Sequence, residues 1–253
     1  MDENKVKLQI KNLTKVFTSK GKEIKAVDDV SFDVYDNEFL VLLGPGQCGK
    51  TVLLNMIAGL EEPTEGEIFL DGEPIDGHNP KISMVPQRYG LFDAKTVMQN
   101  VEIGPKWRGV SKAERRKKAQ KYIDLVQLHG FESSYPSQLS GGMKQRVSIA
   151  RAYTNDPEIL IMDEPFGALD AQTRYAMEEE VAKIWQQDRR TILFVTNNIE
   201  EACYLGDRII LFSNRPAQIK EIYVNDMKRP RDMISEEFLK LRTAISDNTD
   251  LAI

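Results

Sequence analysis

The chain has 253 residues, 41% of them hydrophobic and 29% charged, and its formal net charge is −5. These proportions suit a packed globular domain and exclude a disordered chain, a fibre and a bundle of membrane helices. The slight excess of acid gives no general attraction to nucleic acid or to an anionic membrane. Neither a signal peptide nor a spanning segment is visible, so we expect a cytosolic protein unless a partner holds it at a membrane.

Five short apolar runs end at polar or glycine-rich junctions and precede helix-like stretches. This alternation predicts an α/β fold, in which the runs are buried strands of a mostly parallel sheet with helices on its faces. The runs are residues 39–43, 82–85, 159–162, 192–196 and 209–212. Three other segments alternate apolar and polar residues beside turn signals, and they predict a half-exposed antiparallel sheet. They are residues 6–10, 31–35 and 67–70.

Residues 111–128 begin with a serine cap followed three residues later by an acid, and their apolar residues recur at helical spacing. This pattern predicts an amphipathic helix, which we place in a helical lobe over about residues 88–155. Residues 106–121 carry eight Lys or Arg against one acid. Such a charge run usually forms a solvated helix face, and we favour that interpretation over a phosphate- or lipid-binding surface.

Residues 44–51 read GPGQCGKT, between an apolar strand and a helix-like stretch. They match G-x-x-x-x-G-K-[ST] in the strand–loop–helix context that this phosphate-binding motif requires. Backbone N–H groups and the positive helix end can surround phosphates, Lys50 can reach the β- and γ-phosphates, and Thr51 can bind Mg²⁺. The predicted nucleotide-binding residues here are Gly44, Pro45, Gly46, Gln47, Cys48, Gly49, Lys50, Thr51 and Val52, with Cys48 as a small filler rather than a nucleophile.

A second part of the site is predicted where the apolar run 159–162 meets Asp163 and Glu164. A buried strand that ends in two carboxylates places Asp163 next to Mg²⁺, and Glu164 just beyond can orient and polarise an attacking water. An apolar run followed by two acids is weak evidence by itself. Together with the phosphate loop it predicts a nucleotide-hydrolysing site.

Leu139-Ser140-Gly141-Gly142-Met143 precedes a predicted helix that Ser140 can cap. The glycines at its start expose backbone N–H groups and form a second anion site, which a single nucleotide does not need. With the phosphate loop and the acid pair, this segment resembles the signature sequence of the ATP-binding cassette (ABC) ATPases, over essentially the whole chain. The implied fold is a P-loop NTPase core with an antiparallel β subdomain and a helical lobe, as one domain over residues 1–253.

In the family that this chain resembles, two subunits close head to tail, so that each signature covers the γ-phosphate held by the other subunit's loop. The resemblance thereby explains the second anion site, and it implies ATP and Mg²⁺ as ligands. At matching positions, it implies that Phe17 stacks on adenine, that Gln87 senses Mg²⁺ and water, and that Asp170 lies at the interface. It also assigns Ser140, Gly141 and Gly142 to nucleotide binding.

A narrower resemblance, to the ATPases of nitrate/sulfonate/taurine-type importers, depends on several short segments. They are MDEPFGALDAQTR at 162–174, Ile184-Trp185, LFVT followed by IEEA, Arg215-Pro216 and Lys228-Arg229-Pro230-Arg231. The last two lie in a polar C-terminal extension, about residues 215–253. In such systems the ATPase pair sits under two transmembrane permease subunits, and an extracytoplasmic binding protein delivers the solute.

One departure from the family pattern concerns catalysis. Where the family has a histidine, usually followed by aspartate, this chain has Asn197 and Asn198. The histidine normally contacts the γ-phosphate, whereas asparagine is shorter and can donate a hydrogen bond but cannot take up a proton or become positively charged. We therefore expect weakened hydrolysis with nucleotide binding largely kept, and we regard His78 and His129 as exposed structural residues rather than replacements.

The favoured function is an ATP-binding and hydrolysing subunit that powers import of a small solute and lies peripherally at the cytoplasmic face of the membrane. The implied partners are a second, identical or different, ATPase subunit, two permease subunits and, indirectly, a solute-binding protein, without nucleic acid. The alternative is a slow or non-hydrolysing regulatory subunit paired with another ATPase. Asn197 favours this alternative, and the intact Glu164 opposes it.

Two further classes fit less well. A soluble ABC protein of repair or translation has two cassettes or a long coiled coil, and 253 residues with one set of motifs accommodate neither. A small-molecule phosphoryl transferase shares the phosphate loop but has no use for LSGGM.

Overall fold

The computed structural model describes residues 5–19 and 21–249. The chain divides into two compact units. The first comprises Met1–Asn79 together with Arg190–Ile253, and the second comprises Pro80–Arg189. The second unit is therefore inserted, along the sequence, between two stretches of the first.

The first unit contains an antiparallel sheet in the order β2-β1-β4-β5. Its strands are β1 (Val6–Ser19), β2 (Lys22–Tyr35), β4 (Glu65–Leu70) and β5 (Glu73–Pro74). The prediction of an antiparallel sheet is confirmed, but β1 and β2 are much longer than predicted. Register shifts on both sides of Leu13, next to Asn12 at a φ of 50°, interrupt the alternation that marks a strand in the sequence.

A second sheet of the first unit runs in the order β10-β9-β3-β8. Its strands are β3 (Phe39–Leu43), β8 (Thr191–Thr196), β9 (Arg208–Phe212) and β10 (Ile219–Val224). Strand β3 is parallel to both β8 and β9, and every residue of β3 and β8 is buried. The register pairs Leu43 with Thr196, so the loops that follow these two strands leave from the same sheet edge.

Three helices complete the described part of the first unit: α1 (Lys50–Ile57), α7 (Ile199–Leu205) and α8 (Glu236–Asn248). The sequence pattern predicts only a polar extension where α8 lies. Ser235 caps α8 by accepting a hydrogen bond from the Phe238 backbone N–H at 3.3 Å, and the side chains of Phe238 and Ile245 are buried. Phe238, Leu241 and Ile245 recur at helical spacing, so the sequence carries a periodic signal for this helix that the prediction did not use.

The second unit pairs two parallel strands, β6 (Ile82–Val85) and β7 (Ile159–Asp163), and is otherwise mainly helical. All five predicted core strands are therefore present in the chain, to within one residue at each end. The helices are α2 (Val97–Val101), α3 (Ile103–Trp107), α4 (Lys112–Leu125), a 3-10 turn (Pro136–Gln138), α5 (Gly141–Thr154) and α6 (Ala171–Gln187). Helix α4 packs against α5, with the rings of Tyr122 and Tyr153 5.6 Å apart.

The amphipathic helix predicted over 111–128 is confirmed as α4, and Ser111 caps it by accepting a hydrogen bond from Glu114 N at 3.3 Å. The helix ends at Leu125 because Gln127, at a φ of 56°, turns into the left-handed region. The basic run over 106–121 is partly neutralised within its own unit. Its ion pairs include Arg115 with Glu102 at 3.0 Å, Lys118 with Asp156 at 3.4 Å and Lys121 with Asp188 at 3.3 Å.

Across residues 5–19 and 21–249, no helix combines the length and the apolar character needed to cross a bilayer.

Candidate active site

The phosphate loop joins β3 to α1, and its conformation depends on Gly49. This residue precedes the helix at a φ of 127°, and a Cβ at this position would lie 2.3 Å from the Ala26 carbonyl oxygen. Lys50 begins α1 and is only 3% exposed. Its Nζ donates to the carbonyl oxygens of Gly44 at 2.8 Å and Pro45 at 2.7 Å. These neutral acceptors hold a positive charge inside the loop without cancelling it.

Gln47 occupies a strained place in this loop. It is exposed and has a φ of 62°, in the left-handed region that costs a non-glycine residue about 1–2 kcal/mol. The neighbouring Gly46 is also exposed, and a Cβ added there would meet no atom within 4 Å. The motif allows any residue at both positions, so no sequence pattern indicates this strain. Cys48 is 2% exposed, as a small filler would be.

Asn197 follows the last residue of β8 and has an exposed side chain. Because Leu43 and Thr196 are register partners, Asn197 and the phosphate loop start at adjacent positions of the same sheet edge. Asn198 has a different task. Its Oδ1 accepts hydrogen bonds from Glu200 N at 2.8 Å and Glu201 N at 3.2 Å, so it caps α7.

The two asparagines therefore depart from the family pattern in different ways. Asparagine and aspartate cap helices about equally well. The residue at 198 thus keeps its structural role, and only Asn197 bears on the expected loss of activity.

In the second unit the structure brings Gln87 and Glu164 together. Gln87 Nε2 donates to Glu164 Oε2 at 3.2 Å. Asp163 ends β7 and is 3% exposed, whereas Glu164 is half-buried at a φ of 41°. Left-handed backbone at a non-glycine residue stores strain of about 1–3 kcal/mol and is found preferentially at functional sites.

Gly141 and Gly142, which we call the glycine segment, start helix α5. Ser140 caps this helix by accepting a hydrogen bond from Met143 N at 3.3 Å. Asp170 caps the next helix in the same way, with its Oδ1 3.1 Å from Thr173 N, and these hydrogen bonds lower the pKa of its carboxyl. A Cβ at Gly142 would lie 3.0 Å from Thr173 Cγ2. Thr173 thus links the glycine segment to Asp170.

Two residues that no sequence motif marks connect the Gln87 loop to helix α5. A Cβ at Gly141 would lie 2.9 Å from the Tyr89 hydroxyl oxygen. Arg151 of α5 donates to the carbonyl oxygens of Gly90 at 2.6 Å and Tyr89 at 3.1 Å. Tyr89 and Arg151 were therefore missed by the sequence prediction, because only the fold brings them to this loop.

The remaining predicted residues lie as follows. Phe17 is half-buried in β1, opposite Ile24, with Lys15 Nζ 5.0 Å from its ring centroid. His78 is exposed, and His129 is exposed beside Asp124 at 3.3 Å. The first unit thus carries Phe17, the phosphate loop and Asn197. The second carries Gln87, residues 140–142, Asp163, Glu164 and Asp170.

The donor groups present suit Mg²⁺ and a nucleotide. In the first unit the exposed residue Thr51 carries a hydroxyl. In the second unit Asp163 carries a carboxylate and Gln87 has an amide oxygen, because it is the Gln87 nitrogen that donates to Glu164. Mg²⁺ prefers oxygen ligands of these kinds. The buried ammonium of Lys50 and the start of α1 provide the positive potential that phosphates require.

Comparison with known proteins identifies the family. Residues 27–167 match the family model described as ABC transporter. The chain belongs to this family, as an ATP-binding subunit with the ABC ATPase fold. It is 51% identical to an uncharacterised ABC transporter ATP-binding protein of Methanocaldococcus jannaschii, over 96% of this chain and 91% of that protein. It is 38% identical to an aliphatic sulfonates import ATP-binding protein of Bacillus anthracis, over 94% of each chain.

Two solved structures of one bacterial ABC transporter cassette are also similar to this ABC subunit. The dimeric structure has a TM-score of 0.76 and 32% identity, covering 89% of this chain and 99% of that one. The dimeric post-hydrolysis structure, bound to ADP and Pi, has the same TM-score, 0.76, with 31% identity and the same coverage, 89% and 99%.

Proposed function

We propose that this subunit hydrolyses ATP and thereby powers import of a small solute through an ABC transporter. The observation that carries the proposal is the hydrogen bond between Gln87 and Glu164, at 3.2 Å. It holds a half-buried carboxylate next to a carboxamide, an arrangement that can position a water and accept its proton.

The residues have separate tasks in this proposal. Glu164 accepts the proton of the attacking water, Lys50 neutralises charge on the β- and γ-phosphates, and Asn197 donates a neutral hydrogen bond to the γ-phosphate. When bound by Thr51, Gln87 and Asp163, Mg²⁺ would neutralise phosphate charge. Phe17 stacks on the adenine ring, and the backbone of residues 44–52 surrounds the phosphates with its N–H groups, except at Pro45, which has none.

We propose that the active form is a pair of cassettes, in which Ser140, Gly141, Gly142 and Asp170 of one subunit complete the site of the other. Ser140 is exposed at the start of α5, where Gly141 is half-buried and Gly142 is buried, and this second anion-binding segment supports the arrangement because one loop already surrounds the phosphates. The solved relative is dimeric, including in a post-hydrolysis state bound to ADP and Pi. In this proposal each subunit is one cassette over 1–253, with a helical lobe at about 88–155 and an extension at about 215–253.

The permease subunits are proposed to dock on the second unit, beside the Gln87 loop. Trp107 is 71% exposed and Phe92 is 40% exposed, and their rings meet edge to face at 6.0 Å. The fully buried Asn100 holds this loop, accepting from Phe92 N at 2.8 Å and donating to the Phe92 carbonyl at 3.2 Å. A rigid exposed aromatic pair is a suitable anchor for a protein partner. Docking there would keep the subunit at the cytoplasmic face of the membrane.

The importer class is supported by the similarity to aliphatic sulfonate import ATPases at 38% identity. A test is to reconstitute the chain with the permease subunits and the solute-binding protein of its own transporter and to measure ATP turnover and solute uptake together. Turnover that rises with the solute-loaded binding protein supports the proposal, whereas turnover independent of both partners contradicts it.

The second candidate is a slow or non-hydrolysing regulatory subunit paired with another ATPase. Asn197 favours it, because an asparagine at this edge has no positive charge to offer the γ-phosphate. Single-turnover measurements on the homomeric assembly distinguish the two, since a regulatory subunit keeps ATP bound without releasing phosphate.

A further inference from the structure

Helix α7 begins two residues after Asn197 and is too short to hold its own position. It has seven residues, Ile199–Leu205, and helices of this length are not stable in water without tertiary contacts. The last carbonyl groups of a helix also lack partners within it. What fixes this helix therefore decides where the adjacent Asn197 lies.

The end of α7 is satisfied by side chains from residues 225–248, which we call the tail. Three tail side chains donate to the last three carbonyls of the helix. Arg231 Nη1 donates to Tyr204 O at 2.8 Å and Cys203 O at 3.3 Å, Arg229 donates to Leu205 O and Tyr204 O, and Asn225 Nδ2 donates to Cys203 O at 2.8 Å. These contacts act as an external cap, supplied by residues about 20 or more positions further along the chain.

Arg231 is an unusual cap because it is almost completely buried. It is 6% exposed, and burial lowers the pKa of its guanidinium to about 10, so it stays charged at neutral pH. Asp207 Oδ1, at 3.5 Å from Arg231 Nη2 and 2.7 Å from Arg229 Nη2, offsets part of this charge. The remaining positive charge faces the negative end of the helix dipole, which favours cations at that end.

The tail also reaches the first turn of α7. Arg242, on α8, donates to Glu200 Oε1 at 2.9 Å. Glu200 N is one of the two groups that Asn198 caps, and Asn198 N in turn donates to Thr196 Oγ1 at 2.9 Å. Helix α8 is itself anchored through the buried Phe238 and Ile245. The tail thus contacts α7 at both ends.

We propose that the tail positions Asn197 for the reaction, with Arg229, Arg231 and Arg242 as positioning residues that act through α7. This inference rests on the proposed function, in which Asn197 contacts the γ-phosphate. Residues 228–231 are among the segments that mark the importer subgroup in the sequence, and the contacts give two of their arginines a physical task. A displaced α7 would move Asn197 while leaving the phosphate loop and its Lys50 in place.

The test compares Arg231→Lys and Arg242→Met with matched controls in the full chain. Lys228→Met changes a cation beside Arg229, and Lys240→Met removes an exposed cation of α8 that pairs with Glu236 at 2.6 Å. Hydrogen exchange of residues 199–206 reports how readily α7 opens when its external cap is weakened, and steady-state kinetics report the reaction. We expect exchange to rise about tenfold in Arg231→Lys, with kcat lower by roughly tenfold and the KM for ATP within about twofold. The controls should match the wild type.

The ion pair between Arg242 and Glu200 allows a sharper form of this test, because changing it leaves the buried Arg231 undisturbed. Arg242→Met should lower kcat by about threefold, Glu200→Gln by a similar factor, and the double variant by no more than either alone, because one contact is lost in each. The proposal would be overturned if the reductions in kcat from Arg242→Met and Glu200→Gln multiplied in the double variant. It would also be overturned if Arg231→Lys and Arg242→Met had the same kcat as the controls. A wild-type protein that binds ATP without releasing phosphate would instead contradict the proposed function, since hydrogen exchange reports the local stability of α7 independently of turnover.

Discussion

Leu43 and Thr196 lie opposite each other at the ends of two adjacent parallel strands. The phosphate loop follows the first residue and Asn197 follows the second, so one sheet edge presents both the phosphate-binding backbone and the asparagine. The fully buried strands fix the point at which the chain leaves the sheet for Asn197, and helix α7, which begins at Ile199, fixes the residues that follow it.

Asn197→His is predicted to raise the turnover of the assembled transporter. A hydrogen bond from a charged donor is worth about 1 kcal/mol more than one from a neutral donor, which corresponds to about a fivefold increase in kcat. The control is Asn198→Asp, which should leave kcat unchanged because aspartate caps α7 as asparagine does. If Asn197→His leaves the rate equal or lower, the asparagine imposes no handicap.

Gln47→Gly is predicted to stabilise the nucleotide-free protein by about 1 kcal/mol, because glycine adopts a φ of 62° without strain. Urea denaturation of the isolated chain measures this change. Gln47→Ala is the matched control, since it removes the side chain but keeps the strained backbone. Equal stability of the glycine and alanine variants would show that the loop carries no strain at this position.

Glu180 of α6 is predicted to make the stability of the second unit depend on pH. Its carboxylate lies 2.5 Å from Arg146 of α5, and burial raises its pKa from 4.5 to about 7. The folded protein therefore binds this proton more tightly than the unfolded chain, so the contribution to stability is complete below pH 4.5 and is lost as the pH rises through about 7.

Urea denaturation at pH values from below 4.5 to above 7 checks this prediction. Glu180→Gln should flatten the pH dependence, because glutamine does not titrate. Glu179→Gln removes the neighbouring acid, which is 57% exposed and pairs with Lys183, and should leave the dependence as it is. An equal pH profile for wild type and Glu180→Gln would refute the assignment.

Short-range sequence patterns predicted much of the fold. Buried parallel strands are continuous apolar runs, so β3, β6, β7, β8 and β9 could be located to within one residue. The caps of α4 and α5 could also be predicted from local sequence. Ser111 and Ser140 each accept a hydrogen bond from the backbone N–H group three residues further along the chain.

Contacts between distant segments could not be predicted in this way. The bulges beside Leu13 shift the alternation of β1, and nothing in the local pattern marks them. Tyr89 approaches Gly141, and Arg231 caps Tyr204, only because the fold brings these segments together. In the sequence Asn198 is a second departure from the family pattern without a stated role, whereas its hydrogen bonds make it a helix cap.

The central claim, that this ABC subunit hydrolyses ATP with Glu164 as the base, is tested most directly by phosphate release from wild type and Glu164→Gln. Glutamine keeps the size of the side chain and its hydrogen bond to Gln87 but accepts no proton from water. We predict that phosphate release falls by about 10²–10³-fold while ATP still binds. Phosphate release at the wild-type rate in Glu164→Gln, or none in the wild type itself, would contradict it.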